Sequence, residues 1–247
     1  MPNKRQVGSI FLLMLAVSLF APQGGTATPS SRITILTPGE GSILTSPINL
    51  SAEIHPDPCG LIRVTLTSRN GDLLARKLMH VDAVNGTTPI HFNTNLVFEI
   101  PSDNTEALMT LAIQDDTYRT ISLRSVLVNL TSESEMSLQP MMPKKPWLEI
   151  TQPQPLDNIS GGQFFITGSV TPMTNRPILF ELISESGRVV GSSILAVETP
   201  GEMLDFKIRL YYTYITKLTD VRLTVRQTLY PYNDIVILDS LCLTATP

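Results

Sequence analysis

The sequence predicts an all-β protein of two tandem β-sandwich domains behind a cleaved signal peptide, and three observations carry that expectation. First, the second half repeats the first. Ile54-His55-Pro56 aligns with Val170-Thr171-Pro172, and Ser68-Arg69-Asn70-Gly71 aligns with Ser184-Glu185-Ser186-Gly187, both at a separation of 116 residues. Further on, Leu123-Arg124-Ser125-Val126-Leu127-Val128 aligns with Leu238-Asp239-Ser240-Leu241-Cys242-Leu243 at a separation of 115. Such a period is a whole small domain and too long for a solenoid unit, so each copy should own a core. Second, apolar residues alternate with polar ones or form short β-branched runs between Gly, Pro, Asn and Asp, and helical periodicity is almost absent. Third, the N-terminus joins Lys4 and Arg5 to an apolar run over 10–21 and then to the small-residue stretch ending at Ala27. That pattern reads as a secretory signal peptide cut after Ala27, because the run is shorter than the roughly twenty residues of a spanning helix.

In order along the chain, 1–27 is the expected signal peptide and 32–130 the first domain. Its strands are expected near 33–36, 48–54, 62–68, 73–80, 95–100, 107–114 and 119–129, a spacing that fits a sandwich. Asn70-Gly71 supplies the positive φ of a tight hairpin turn, and Ser186-Gly187 does the same in the second copy. Asp115-Asp116-Thr117-Tyr118 turns the last hairpin of the first domain. The segment 131–146 (TSESEMSLQPMMPKKP) has no core-forming pattern, and its prolines fix φ, so it reads as a semi-extended linker. Met141, Met142 and Trp147, the only tryptophan, are expected to tuck against a neighbouring domain. The second domain is 147–247, with Tyr230-Pro231-Tyr232-Asn233-Asp234 turning its last hairpin. Alternation assigns Met109, Leu111 and Ile113, then Phe206, Ile208 and Leu210, then Val221, Leu223 and Val225 to the buried faces, with Phe92 and one of Val97 or Phe98 in comparable places.

Composition narrows the function classes. The chain has 247 residues, 42% of them hydrophobic and 16% charged, and a net charge of −4. It is globular, and it lacks the basic excess that nucleic acid or an anionic membrane surface would require. No membrane span is expected in the mature chain, which should be secreted or extracytoplasmic, in the periplasm or at the cell surface, and monomeric. Two cysteines, Cys59 in a turn and Cys242 in the last strand, do not form a repeated pair. Cys242 takes the position of Leu127 and reads as a core substitute, which leaves packing to hold the domains together.

The opening of the first repeat, from Ile33-Thr-Ile-Leu-Thr-Pro38 through Ser46-Pro47 to Ile54, resembles bacterial immunoglobulin-like domains of exported proteins, including the type associated with spore germination. The strand, Asn-Gly-Asp, strand segment around Gly71 is similar to the same family. The second repeat keeps strand and proline in Leu148-Glu-Ile-Thr-Gln-Pro153 but has Gly161-Gly162 in place of Ser-Pro. The resemblance implies two immunoglobulin-like sandwiches and export; that family shares no catalytic site, so it implies no functional residue.

Candidate chemistry is sparse. His55, His80 and His91 are spread over strand ends without metal-ligand spacing or a nucleophile motif, and no catalytic residue, metal or cofactor is expected. Asp103-Asn104 with Glu106, and Asp115-Asp116, read as solvated turns in place of a calcium site. The surface candidates are aromatic: Tyr230, Tyr232 and Tyr118 stand at hairpin tips, where phenol rings stack on sugars or anchor protein partners. Tyr211, Tyr212 and Tyr214 read as structural, with Tyr212 or Tyr214 as a tyrosine corner. The expectation is therefore a non-enzymatic exported binding, adhesion or spacer protein whose partner is a protein or glycan at the cell envelope. The alternative is a carbohydrate-binding module using the loop tyrosines of the second domain.

Overall fold

The structure, a computed structural model, describes residues 32–55, 60–81, 89–100, 105–132, 136–139, 146–230, 232 and 234–247. The first repeat forms β1 (Ile33–Thr37), β2 (Ser42–Leu44), β3 (Ile48–Ile54), β4 (Leu61–Ser68), β5 (Leu73–His80), β6 (Ile90–Leu96), β7 (Thr105–Gln114) and β8 (Thr120–Leu130). The second forms β9 (Leu148–Gln152), β10 (Asn158–Ile159), β11 (Gln163–Val170), β12 (Ile178–Ser184), β13 (Val189–Leu195), β14 (Leu204–Tyr211), β15 (Thr219–Leu229) and β16 (Asp234–Ala245).

The two repeats share one topology. In the first, β1, β3 and β6 make a three-stranded sheet while β5, β4, β7 and β8 make the facing one, with β2 parallel to β8. In the second, β9, β11 and β14 face β13, β12, β15 and β16, with β10 parallel to β16. Hairpins β4–β5, β7–β8, β12–β13 and β15–β16 stay within one sheet while the chain crosses to the other sheet after β3, β5, β6, β11, β13 and β14, the Greek-key arrangement of an immunoglobulin-like sandwich. The turns recur as well: Ser68 N–H donates to the Asp72 carbonyl and Ser184 N–H to the Arg188 carbonyl, at 2.8 and 2.9 Å. Gly71 and Gly187 close these turns at φ of 89° and 82°, in the left-handed region where a side chain would be strained.

Each repeat owns a core. Met109, Leu111 and Ile113 of β7 pack with Val64, Leu66 and Phe92 in the first; Leu223 and Val225 of β15 pack with Phe180, Phe206 and Ile208 in the second. The alternation therefore reads correctly on most strands. The sixth strand is an exception, since Ile90–Leu96 lies earlier than the expected 95–100. Its inward set is Phe92, Thr94 and Leu96 with His91, Asn93 and Asn95 outward, and asparagine-rich alternation gives a weak strand signal. Phe98 is buried beyond the end of that strand and Val97 is exposed. The short strands β2 and β10 carry too few residues to show a period.

The four-stranded sheets do not end at the repeat boundary. β8 pairs antiparallel with β16, and the hydrogen-bonded path runs β5, β4, β7, β8, β16, β15, β12, β13 through both copies. Part of the linker belongs to the first repeat, where Ser137 and Ile43 exchange backbone hydrogen bonds of 2.9 and 3.0 Å. Cys59, Met141 and Met142 lie outside the described residues.

Candidate functional site: the junction of the repeats

The register of the β8–β16 ladder pairs Leu123 with Leu238, which are equivalent residues of the two copies. On either side Arg124 faces Ile237 and Ser122 faces Asp239. Exchanging the copies converts one flanking pair into the other, so the repeats meet about a local two-fold axis through Leu123 and Leu238, as two subunits of an isologous dimer do. The row extends outward through paired residues: Leu78, Arg63, Ala112 and Leu123 on one side, Leu238, Arg226, Leu179 and Ile194 on the other.

The two faces of the junction differ in chemistry. Outward, Leu123, Leu238 and Ala112 are buried together with Ile235 packed against them. Inward lies a buried carboxylate. Asp239 Oδ2 accepts from Trp147 Nε1–H at 2.7 Å, and Oδ1 accepts from the Ser122 hydroxyl at 2.5 Å and from the Arg32 N–H at 3.4 Å. Burial pushes the Asp239 carboxyl up to about 7 against the opposing pull of these three donors. Arg124 stands beside it; burial brings its guanidinium down to about 10, and Asp239 and Glu40 counteract that. Its Nη1 has no hydrogen-bond partner among the described residues.

Each terminal hairpin also reaches onto the other copy. Asp115, in the β7–β8 turn, accepts Arg222 Nη2 of β15 at 3.2 Å, and Tyr232, in the β15–β16 turn, donates its hydroxyl to Glu106 of β7 at 3.1 Å. Asp115 also accepts from Thr117 and Arg119. Burial opposes its ionisation, yet those donors hold it below the usual carboxylate range. Burial first, and then the Glu106 carboxylate, raise the Tyr232 phenol above its ordinary value.

Beside the junction, on the outer face of the second repeat's four-stranded sheet, is a groove of about 630 Å³. The first repeat supplies Arg119 and Thr120 at one wall; Glu181, Arg222, Arg226 and Leu238 line the rest. Arg226 is clamped by both oxygens of Glu181 at 2.8 and 3.3 Å. Cys242 lines this groove and is exposed, which corrects its reading as a core residue: in β16 it is Leu243 that is buried, so its neighbour points out.

The three candidate tyrosines separate. Tyr118 and Tyr230 are 71% and 68% exposed, Tyr230 with the Arg176 guanidinium 5.6 Å from its ring centre, while Tyr232 is engaged at the junction. Tyr212 is the structural member of its trio: it is buried and donates its hydroxyl to the Thr246 carbonyl at 3.0 Å, tying the end of β14 to the C-terminal strand. Tyr211 and Tyr214 are exposed. Trp147 is buried in the core of its own repeat and donates to Asp239 of that repeat, and so does not tuck against the neighbouring domain as expected. Sequence reasoning missed Asp239 altogether; the signal available was a carboxylate on the inward side of an otherwise apolar strand, at the position where the first repeat carries Arg124.

No family model and no curated protein matches the chain. Among solved structures it is similar to an ICAM-5 D1–D4 ectodomain fragment, with 10% identity and a TM-score of 0.24 over 88% of this chain and 54% of that one. It is similar also to dimeric latent PorU from Porphyromonas gingivalis, with 10% identity and a TM-score of 0.25 over 88% of this chain and 24% of that one. The chain thus spans about half of the first and a quarter of the second. The fold assignment rests on strand order and core, and not on these likenesses. Among the described residues no helix is long and apolar enough to cross a membrane.

Proposed function

We propose that the chain is a non-enzymatic exported binding protein, with its two sandwiches, 32–130 and 147–247, acting as one rigid platform. The observation that carries this reading is the β8–β16 ladder, which joins both four-stranded sheets into one. Tandem sandwiches set end to end lengthen a molecule, whereas sandwiches joined by edge strands widen it. The widened sheet favours binding and adhesion over the role of a spacer, and it builds a groove with walls from both repeats.

The test uses Cys242 at the groove as a handle. With Cys59 replaced by serine, a bulky polyethylene-glycol maleimide on Cys242 should lower saturable binding of the purified chain to envelopes of its host by about tenfold or more. Equal binding before and after labelling would contradict a ligand in the groove. The glycan reading of the hairpin tyrosines now rests on Tyr230 and Tyr118, the two that remain exposed; loss of glycan binding in Tyr230→Ala with Tyr232→Phe unchanged would favour it.

A further inference from the structure

The outer face of the second repeat's three-stranded sheet gathers two cations over one aromatic ring. Phe165 of β11 is paired with Arg209 of β14, and Thr167 with Lys207. Arg209 Cζ lies 4.8 Å and Lys207 Nζ 4.9 Å from the Phe165 ring centre. Arg209 Nη1 also reaches the Tyr211 hydroxyl at 3.2 Å. Phe165 is 43% exposed and Tyr211 59%. The ring holds two like charges side by side, and among the described residues no ion pair neutralises either of them. Of the carboxylates on this face, Glu149 and Asp205 stand opposite Ser169, and Asp205 is the next outward residue of β14 before Lys207 without forming an ion pair with it.

The duplication provides an internal comparison. Phe165 corresponds to Asn49, and the strand pairing makes Arg209 and Lys207 correspond to Asn95 and Asn93. The same sheet therefore forms with three asparagines in place of Phe, Arg and Lys, so the fold does not require the cluster. All four cation–ring contacts among the described residues, at Phe165 twice, Tyr214 and Tyr230, fall in the second repeat. Such contacts ordinarily occur roughly once per 70–80 residues.

From this we infer that the Phe165–Lys207–Arg209 face is a binding site for an acidic polysaccharide, a chain of sugars bearing carboxylates. Converging cations on a chain of net charge −4 select an anion, and a guanidinium matches a carboxylate with two parallel hydrogen bonds. The hydroxyls of Thr151 and Thr167, 2.9 Å apart on the same face, and of Tyr211 supply the neutral partners that sugar hydroxyls need. The ring lies beneath the two cations and does not project as a wedge, which favours a polar polymer over a lipid surface. The site is on the sheet opposite the groove and is independent of it.

Titration calorimetry of the full chain with polygalacturonate, using neutral dextran and anionic phospholipid vesicles as comparisons, tests the site. Binding to polygalacturonate alone is expected, weakening as salt rises. Lys207→Gln with Arg209→Gln should lower affinity about tenfold or more without changing the melting temperature, and Phe165→Asn should lower it about threefold. Transplanting the cluster as Asn49→Phe, Asn93→Lys and Asn95→Arg should add a second site. Labelling of Cys242 should leave this binding intact, which separates it from the groove. No binding, equal binding to dextran, preference for vesicles, or affinity unchanged in the double variant would overturn the inference.

Discussion

Arg124 and Asp239 are the same position in two copies of one domain, and at the junction they lie diagonally across the local two-fold axis. In a dimer of identical domains that position would set like against like; after duplication one copy carries an arginine and the other an aspartate. The Asp239 carboxyl keeps its proton up to about pH 7 in the folded chain, against a reference value of 3.8. Between those values the folded state binds more protons than the unfolded one. This group's contribution is therefore full below pH 3.8 and is lost as pH rises through about 7. Because Trp147 donates to that carboxylate and is the sole tryptophan, its fluorescence should titrate with a midpoint near 7. Asp239→Asn should abolish the titration and flatten the stability profile across the window; a titration persisting in that variant would contradict the assignment. Asp115 acts in the opposite sense and below the window, since its lowered value makes its contribution disappear only as pH falls. Tyr232→Phe removes one hydrogen bond to Glu106 and should cost about 1–2 kcal/mol, read by urea denaturation.

At the scale of elements, the segments Ser122–Arg124 of β8 and Ile237–Asp239 of β16 would each be an open edge if the copies were apart. Unpaired edges are templates for association, and here each edge covers the other. The apolar cluster of Leu123, Leu238, Ala112 and Ile235 seals the outward side of that pairing. Replacing Leu238 by Lys should destabilise the chain by about 2–4 kcal/mol and increase its radius of gyration in small-angle scattering, because a buried cation there has no partner. Unchanged scattering and stability would show that the ladder does not hold the copies together. Strands, turns and inward residues were legible in the sequence because alternation and Gly-Asn-Ser punctuation act locally, as Ser68–Gly71 and Ser184–Gly187 show. The ladder was not, because a sheet's last strand carries the same period whether its edge faces water or another strand. What could have disclosed it is a pair of leucines, Leu123 and Leu238, on the outward side of equivalent strands, where a solvated face would place polar residues.

For the whole molecule, the expectation that packing alone joins the domains gives way to a backbone ladder, two side-chain pins and a buried carboxylate. The candidate tyrosines illustrate what sequence could reach: it marked the hairpin tips as functional ground, but only the fold separates Tyr232, engaged at the junction, from the exposed Tyr118 and Tyr230. The groove was not legible at all, since Arg119 and Arg226 come together only when two copies meet. A single row of paired residues crosses both repeats from Leu78 on β5 to Ile194 on β13. These end residues are equivalent in the repeats and 65% and 67% exposed, so Leu78→Cys with Ile194→Cys, in a chain with Cys59 and Cys242 replaced by serine, carries spin labels at little cost. Seven strand spacings separate them, and dipolar spectroscopy should return one narrow distance distribution centred at about 34 Å. A broad distribution, or a narrow one centred well away from about 34 Å, would contradict the shared sheet.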